Sequence, residues 1–261
     1  MAYVCKNGPE NIFRRFMFLK NICRAGLLIP ILFLACKSPL EAFEGPGLHV
    51  LFIGNSLTYV NDLPRTLQRV MNLGGREMSY HSVANPDFSL ADHLAGGSDA
   101  VKQIQRGGWD FVIMQQGPSS LPESRTLLIG AVQTFNAHIR AVGARTALYM
   151  VWPDKSRLSF FEDVRVSYKL AADTVGGLFL PAGEAWLEAW KLDSTLTLYW
   201  DDDFHPSYLG TYLASLVIYE LLTGAVARDL PNVVVVADQN FGMPDLAEQL
   251  QEAASATVAK Y

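Results

Sequence analysis

Short apolar segments alternate with amphipathic segments along most of the chain. The apolar segments are nearly continuous and are bounded by turn-forming residues, a pattern typical of strands buried on both faces of a parallel sheet. They span residues 49–53, Phe111–Met114, residues 147–152 and Leu178–Leu180, and a weaker segment spans Met78–Ala84. We therefore predict five strands.

Hydrophobic positions between these strands recur at helical spacing. The predicted helices cover Leu63–Leu73 and residues 99–106, 126–142, 160–174, 184–191 and 208–222, and Pro244 opens a last one. Gly224 suits the end of the sixth helix. Strands that alternate with helices predict an α/β fold, in which helices cover both faces of a parallel sheet. Such sheets bind their ligands at the carboxyl ends of the strands.

The amino-terminal segment 1–42 differs from the rest of the chain. Basic residues precede the apolar stretch 25–35. That stretch is shorter than the roughly 20 apolar residues of a membrane span. A basic region, a short apolar region and small residues after it are typical of an export signal. We predict a signal peptide or lipoprotein-type leader over residues 1–42 and one domain over residues 43–261. The protein is then periplasmic, secreted or lipid-anchored at the cell envelope.

All three cysteines, Cys5, Cys23 and Cys36, lie in this leader. The exported domain therefore has no disulfide and no thiol chemistry. Leu34-Ala35-Cys36 resembles a bacterial lipoprotein cleavage site, and ordinary cleavage after Ala42 or an uncleaved anchor are the alternatives. We expect membrane contact only through a lipid anchor or an uncleaved leader.

Removal of the leader makes the protein strongly acidic. The leader contains six Lys/Arg and two Asp/Glu, so 15 basic and 24 acidic residues remain, with a net charge of −9. An acidic surface repels the phosphate backbone of nucleic acids, which we exclude as partners.

Ser56 is a candidate nucleophile. It follows the first predicted strand in Gly54-Asn55-Ser56-Leu57, where Gly54 permits a tight turn. A serine hydroxyl is a weak nucleophile and needs an adjacent base. The alternative is that Asn55-Ser56 only caps a helix.

His205 is the candidate base. Asp202 lies three residues before it. This carboxylate can hold one ring nitrogen, which leaves the other free for a serine hydroxyl. Asp201 and Asp203 are rival partners by position alone. A structural histidine near a helix start is the alternative interpretation.

The two segments together resemble the SGNH (GDSL-type) hydrolases. Gly54-Asn55-Ser56-Leu57 is similar to the first block of that family, with Asn in place of the usual Asp, and Asp202-x-x-His205-Pro206 matches the last block. The resemblance implies a flavodoxin-like α/β/α sandwich. It also implies a catalytic triad in which Ser56 attacks an ester, His205 moves the proton and Asp202 holds the imidazole.

The resemblance also implies an oxyanion hole. The Ser56 N–H would donate to it, together with the N–H of a glycine whose position Asp87 occupies here. The family's asparagine donor is replaced by Gln115, the first residue past the third strand, or by its neighbour Gln116. A glutamine amide offers the same donor. A merely polar turn at Gln115-Gln116 is the alternative.

Trp152 ends a predicted strand at the ligand-binding edge and is a candidate pocket residue, as is Tyr59, although core or rim packing is the default for both side chains. His93 is expected to be structural. We find no metal-ligand spacing and no phosphate-binding loop, so we expect neither a metal nor a cofactor.

The predicted function is that of an exported serine esterase that hydrolyses acyl esters, with O-acetyl groups of a carbohydrate as the leading substrate. The substrate is thus a small-molecule or glycan ester. A lipase or phospholipase of the same fold, an O-acyltransferase and a catalytically inactive glycan-binding protein are the alternatives.

Overall fold

A five-stranded parallel sheet forms the centre of the structure, a computed structural model that describes residues 41–261. The strands run in the order β2-β1-β3-β4-β5, and every neighbouring pair is parallel. This is the strand order of flavodoxin-like doubly wound folds. Their bounds are Leu48–Gly54 (β1), Met78–Ala84 (β2), Phe111–Met114 (β3), Arg145–Tyr149 (β4) and Leu178–Leu180 (β5). The predicted α/β fold class and its five strands are confirmed.

Helices connect the strands and flank the sheet. They are Ser56–Tyr59 (α1), Leu63–Leu73 (α2), Leu90–Asp92 (α3), Ala100–Arg106 (α4), Pro122–Ala141 (α5), Phe161–Val175 (α6), Ala182–Leu192 (α7), Tyr208–Thr223 (α8) and Pro244–Val258 (α9). Short 3₁₀ turns occupy Val60–Asp62, Lys155–Phe160 and Ala227–Asp229, and a π turn occupies His93–Gly97. None of the helices in residues 41–261 has the length and hydrophobicity needed to cross a bilayer.

The helices form two packed layers. Helices α2, α8, α9 and α7 pack against one another, and α4, α5 and α6 form the second group. Helix α8 is buried at every position from residue 210 to residue 220. Burial on all sides explains why its sequence has no polar face. The α/β/α sandwich implied by the resemblance is therefore present.

Two element ends differ from the predicted ones by more than two residues, and one hairpin was not predicted. Helix α5 begins at Pro122, four residues before the predicted start. Proline suits the first turn of a helix, which accounts for the earlier start. Strand β4 ends at Tyr149, although Met150 to Trp152 are as buried as the strand itself. The hairpin of Val234–Val236 (β6) and Gln239–Gly242 (β7) was not predicted. Its turn contains neither glycine nor asparagine, the usual hairpin signals.

The predicted leader lies almost entirely outside the described residues, as do its three cysteines. Its export and lipidation therefore stay predictions.

The carboxyl ends of β1 and β3 are neighbours at the point where the strand order reverses. Strand β1 is followed by Asn55-Ser56 and β3 by Gln115-Gln116, and the Gln115 N–H donates to the Ile53 carbonyl at 2.9 Å. This switch point is the usual ligand site of doubly wound sheets. The fold thus brings two of the predicted site segments together.

Candidate active site

Ser56 is the first residue of helix α1, directly after the turn that ends β1. The cap of this helix is Asn55, whose side chain accepts from the Leu57 N–H at 3.1 Å. Ser56 is 8% exposed, and its hydroxyl makes no hydrogen bond within residues 41–261. The residue that caps the helix is therefore Asn55, and the Ser56 hydroxyl remains available as a nucleophile.

Gln115 fixes the turn that carries Ser56. Its side-chain oxygen accepts from the Asn55 N–H at 3.0 Å and from the Thr58 hydroxyl at 2.7 Å. Its side-chain nitrogen donates to Asn55 Oδ1 at 2.8 Å and to the Gln116 carbonyl at 2.6 Å. The backbone N–H of Asn55 can only donate, so the orientation of the Gln115 amide is set.

This network corrects the predicted role of Gln115. An amide nitrogen has two hydrogens. Both are already donated within a site where Gln115 is only 1% exposed. No donor remains for an oxyanion, so the prediction that Gln115 lines the oxyanion hole is wrong for this arrangement. Its function is to hold the nucleophile turn.

Gly54 is required because this network lies so close to the backbone. A Cβ at this position would come within 2.4 Å of Thr58 Oγ1 and 2.5 Å of Gln115 Oε1. Both atoms belong to the network, so a side chain at Gly54 would displace the groups that hold the turn.

The Gln116 side chain also hydrogen-bonds to neighbouring segments. Its side-chain oxygen accepts from the Leu90 N–H at 3.0 Å, and its nitrogen donates to Ser119 Oγ at 2.7 Å. One amide hydrogen remains. The predicted contribution of Gln116 to an oxyanion hole therefore stays a prediction.

Asp87 has the backbone conformation that glycine favours, with a φ of 59°. The Phe88 N–H donates to the Asn85 carbonyl at 3.4 Å. Residues 85–88 therefore form a turn with proline second and Asp87 third. Asn55 donates to the Phe88 carbonyl at 3.0 Å and ties this turn to the Ser56 turn. Within residues 41–261, neither the Ser56 nor the Asp87 N–H has a hydrogen-bond partner, so both are available as donors.

Asp202 holds His205 by two hydrogen bonds and the preceding Phe204 by a third. His205 Nδ1 lies 2.6 Å from Asp202 Oδ2, while Asp202 Oδ1 accepts from the N–H groups of Phe204 at 3.0 Å and His205 at 2.9 Å. Burial raises the pKa of Asp202, but these hydrogen bonds outweigh it and leave the pKa below its ordinary value. Asp203 pairs with Lys155 at 2.7 Å instead. Of the three consecutive carboxylates, Asp202 is the partner of His205.

This pairing sets the tautomer of His205. An ionised carboxylate only accepts, so Nδ1 carries the hydrogen and neutral Nε2 has a free lone pair. Nε2 is shielded from solvent and has no hydrogen-bond partner within the described chain. The Ser56 hydroxyl is therefore not hydrogen-bonded to it, and such catalytic hydrogen bonds are often long until a substrate binds.

His205 lines a cleft of about 370 Å³. The other lining residues are Val60, Asn61, Trp200, Asp202 and Tyr208. Val60 and Asn61 directly follow the helix that Ser56 begins, so the cleft lies between the turn after that helix and the histidine loop, and Ser56 is not among its lining residues.

Asn61 connects these two parts, a role that the sequence did not reveal. Its side-chain nitrogen donates to the Pro206 carbonyl at 2.8 Å and to Thr211 Oγ1 at 3.0 Å. Its φ of 54° lies in the left-handed region. Asparagine tolerates that region better than most residues. Asn61 thereby ties the chain after α1 to the segment after His205.

We expect Asn61→Gly to lower both activity and stability. Glycine keeps the left-handed backbone but removes two hydrogen bonds, so the free energy of unfolding should fall by about 1–2 kcal/mol. The kcat for p-nitrophenyl acetate should fall by about tenfold, because His205 is no longer held against the Ser56 helix. Asn72→Gly, in the last turn of α2, serves as a glycine control. An unchanged kcat would show that the tie does not position the site.

Trp152 does not line a pocket, which corrects that prediction. It is fully buried, and its ring stacks on Trp186 with centroids 3.6 Å apart. Its Nε1 donates to the Phe204 carbonyl at 3.0 Å and so holds the residue before His205. The default interpretation of core packing is the right one.

Tyr59 is 41% exposed at the end of α1 and is not among the residues that line the cleft. Its predicted contribution to a pocket stays a prediction.

His93 is a structural residue, as expected. Its Nε2 donates to the Gly54 carbonyl at 2.9 Å, and its Nδ1 accepts from Ser98 Oγ at 2.7 Å. Burial lowers the pKa of His93, so the ring stays neutral near neutral pH. The ring fixes the end of β1, directly before the Ser56 turn.

Within residues 41–261, no cluster of three or more His, Cys, Asp or Glu residues could hold a metal ion.

Solved structures with this fold include several hydrolases. A DUF4886 family protein from Bacteroides uniformis matches with a TM-score of 0.68 at 18% identity, over 81% of this chain and 95% of that chain. A protein from Slackia heliotrinireducens assigned to the SGNH hydrolases matches with a TM-score of 0.56 at 26% identity, over 67% and 99%. The psychrotrophic esterase EstA from Pseudoalteromonas sp. matches with a TM-score of 0.50 at 16% identity, over 67% and 97%. Neither a family model nor a curated protein sequence matches the chain.

Proposed function

We propose that this chain, which belongs to the SGNH hydrolases, is a serine esterase that cleaves acyl esters with Ser56, His205 and Asp202. The observation that carries the proposal is the state of His205. Asp202 holds one ring nitrogen at 2.6 Å, and the other is shielded and, among the described residues, without a partner, while His205 lines a cleft with Val60 and Asn61, which follow the Ser56 helix. A lone pair kept free in this way suits a general base.

The reaction would proceed in two steps. Ser56 Oγ attacks the acyl carbonyl, and Nε2 of His205 takes the hydroxyl proton and gives it to the leaving alcohol oxygen as the ester bond breaks. Water then attacks the acyl-serine and loses a proton to His205 Nε2, which returns it to Ser56 Oγ as the acyl–Oγ bond breaks and the carboxylic acid is released. No cofactor is needed.

Two backbone groups would stabilise the oxyanion of both steps. The N–H groups of Ser56 and Asp87 are unpaired among the described residues, and the Asn55 side chain connects the two turns that carry them. Fixed donors directed at developing charge lower the barrier by about 3 kcal/mol each. This arrangement needs no contribution from the Gln115 side chain.

We also propose that the protein is exported and that its substrate is an O-acetyl ester of a carbohydrate. The basic and apolar leader supports export. The exposed rings of Trp200 and Tyr208 lie at the cleft. They support a carbohydrate, because aromatic faces suit the apolar faces of sugar rings.

A fluorophosphonate probe tests the nucleophile directly. We expect covalent labelling of the full-length protein, with the adduct mapped by peptide mass spectrometry to the peptide that contains Ser56. Asp202→Asn should label at least about tenfold more slowly, because the histidine loses its orienting carboxylate. An adduct on any other serine would contradict the proposal.

A further inference from the structure

Trp200 separates the His205 cleft from a second, larger cavity. The second cavity has a volume of about 570 Å³, and Trp200 lines both spaces. A cavity of this size falls within the range of small-ligand sites. Trp200 itself is accessible to solvent, since it is 47% exposed. Its backbone N–H donates to the His205 carbonyl at 2.8 Å, so the backbone that carries the indole is fixed relative to the proposed base.

A row of three aromatic rings begins at Trp200, which lines both spaces, and continues through Tyr208, which lines the cleft, to Phe241. The Trp200 and Tyr208 rings lie 5.8 Å apart, and the Tyr208 and Phe241 rings lie 5.3 Å apart. Tyr208 is 39% exposed. Single exposed apolar residues are normal, but a continuous row beside a cavity indicates a binding surface.

We propose that the second cavity and this aromatic row bind the alcohol half of the ester, and that this half is a neutral oligosaccharide. The inference rests on the proposed esterase function; it adds a binding location and narrows the proposed carbohydrate to a neutral oligosaccharide. His205 gives its proton to the leaving alcohol, so the alcohol must lie beside His205, where Trp200 forms a wall common to both spaces.

The polar groups of the cavity favour a neutral polyhydroxylated ligand. Asp201, Asp203 and Thr197 line it together with the apolar side chain of Leu158. Carboxylates accept hydrogen bonds from sugar hydroxyls, while Trp200 and Leu158 offer apolar surface to the ring carbons. Among the described lining residues the only basic side chain, Lys155, is paired with Asp203 at 2.7 Å.

The same groups disfavour lipids. Because Asp203 is paired with Lys155, Asp201 leaves the lining with a net negative charge that would repel a phosphate headgroup. An alkyl chain in this cavity would remove water from the carboxylates without replacing its hydrogen bonds. A lipid substrate is therefore an alternative outcome of the test.

Isothermal titration of the full-length protein with neutral tetrasaccharides tests the inference. The probes are xylo-, cello-, manno- and chito-tetraose without acyl groups. We expect at least one of them to bind, and Trp200→Ala to weaken that binding by about tenfold or more. Trp200→Phe should retain most of the affinity. Leu158→Arg, which changes the lining of the second cavity but not that of the His205 cleft, should weaken it by a similar factor.

Leu127→Ala is the control, because this leucine is 62% exposed on helix α5 and lines neither space. Trp200 and Leu158 are exposed as well, so their variants should unfold at the wild-type temperature. The inference is overturned if no tetrasaccharide binds, if Trp200→Ala binds as tightly as wild type, or if phosphatidylcholine vesicles bind instead. Labelling of Ser56 without sugar binding would leave the esterase proposal standing, and sugar binding without labelling would leave only the sugar site.

Discussion

Ser56→Ala is expected to lower kcat/KM for p-nitrophenyl acetate by about 10⁴-fold or more without destabilising the fold. The proposed mechanism has one nucleophile, and loss of the nucleophile of a triad leaves only the contribution of binding and oxyanion stabilisation. The Ser56 hydroxyl makes no hydrogen bond within the described chain, so its removal should leave the unfolding temperature unchanged. Steady-state kinetics and thermal unfolding measure the two effects.

The second variant, His205→Ala, removes the proposed base. It should cause a loss of the same order, and the double variant should be no slower than either single one, because the two residues act in one step. Ser82→Ala, on strand β2, serves as the control and should hydrolyse the ester at the wild-type rate. Equal activity of wild type and Ser56→Ala would remove Ser56 from the mechanism.

The fold was predictable because each strand carries its own signal. Strands β1, β3 and β5 are apolar over nearly their whole length. Burial on both faces requires this, and the helical periods between the strands fix the βαβ pattern. The positions of Ser56 and Gln115 at the ligand edge follow from that pattern alone. The hairpin β6–β7 was missed because Ala237-Asp238 lacks the residues of a two-residue turn.

The direction of individual side chains was not predictable in the same way. The sequence predicts that Gln115 follows β3, but it does not say whether the amide faces the substrate or the Asn55 turn. Trp152 was placed at the same edge, yet its ring turns inward onto Trp186. Asn61 carried no local signal, since its partners Pro206 and Thr211 lie far along the chain. Each of these outcomes depends on contacts between distant segments.

Gln115→Glu distinguishes the two functions considered for this residue. The introduced carboxylate can still accept from the Asn55 N–H and the Thr58 hydroxyl, but its second oxygen faces two acceptors, Asn55 Oδ1 and the Gln116 carbonyl. A buried charge beside unsatisfied acceptors should lower the free energy of unfolding by about 3 kcal/mol or more at pH 7. Chemical denaturation measures this loss.

The pH dependence of that loss has a definite sign. Burial among acceptors raises the pKa of the introduced carboxyl above the roughly 4.3 of the unfolded chain, so the folded variant binds the proton more tightly than the unfolded one. The variant should therefore lie nearest to wild type below about pH 4 and lose stability relative to it as the pH rises towards 7. If Gln115 instead donated to the oxyanion, kcat would fall by about 10²–10³-fold at unchanged stability. A stable but slow variant would thus restore the oxyanion role, and an unstable one establishes Gln115 as the support of the nucleophile turn.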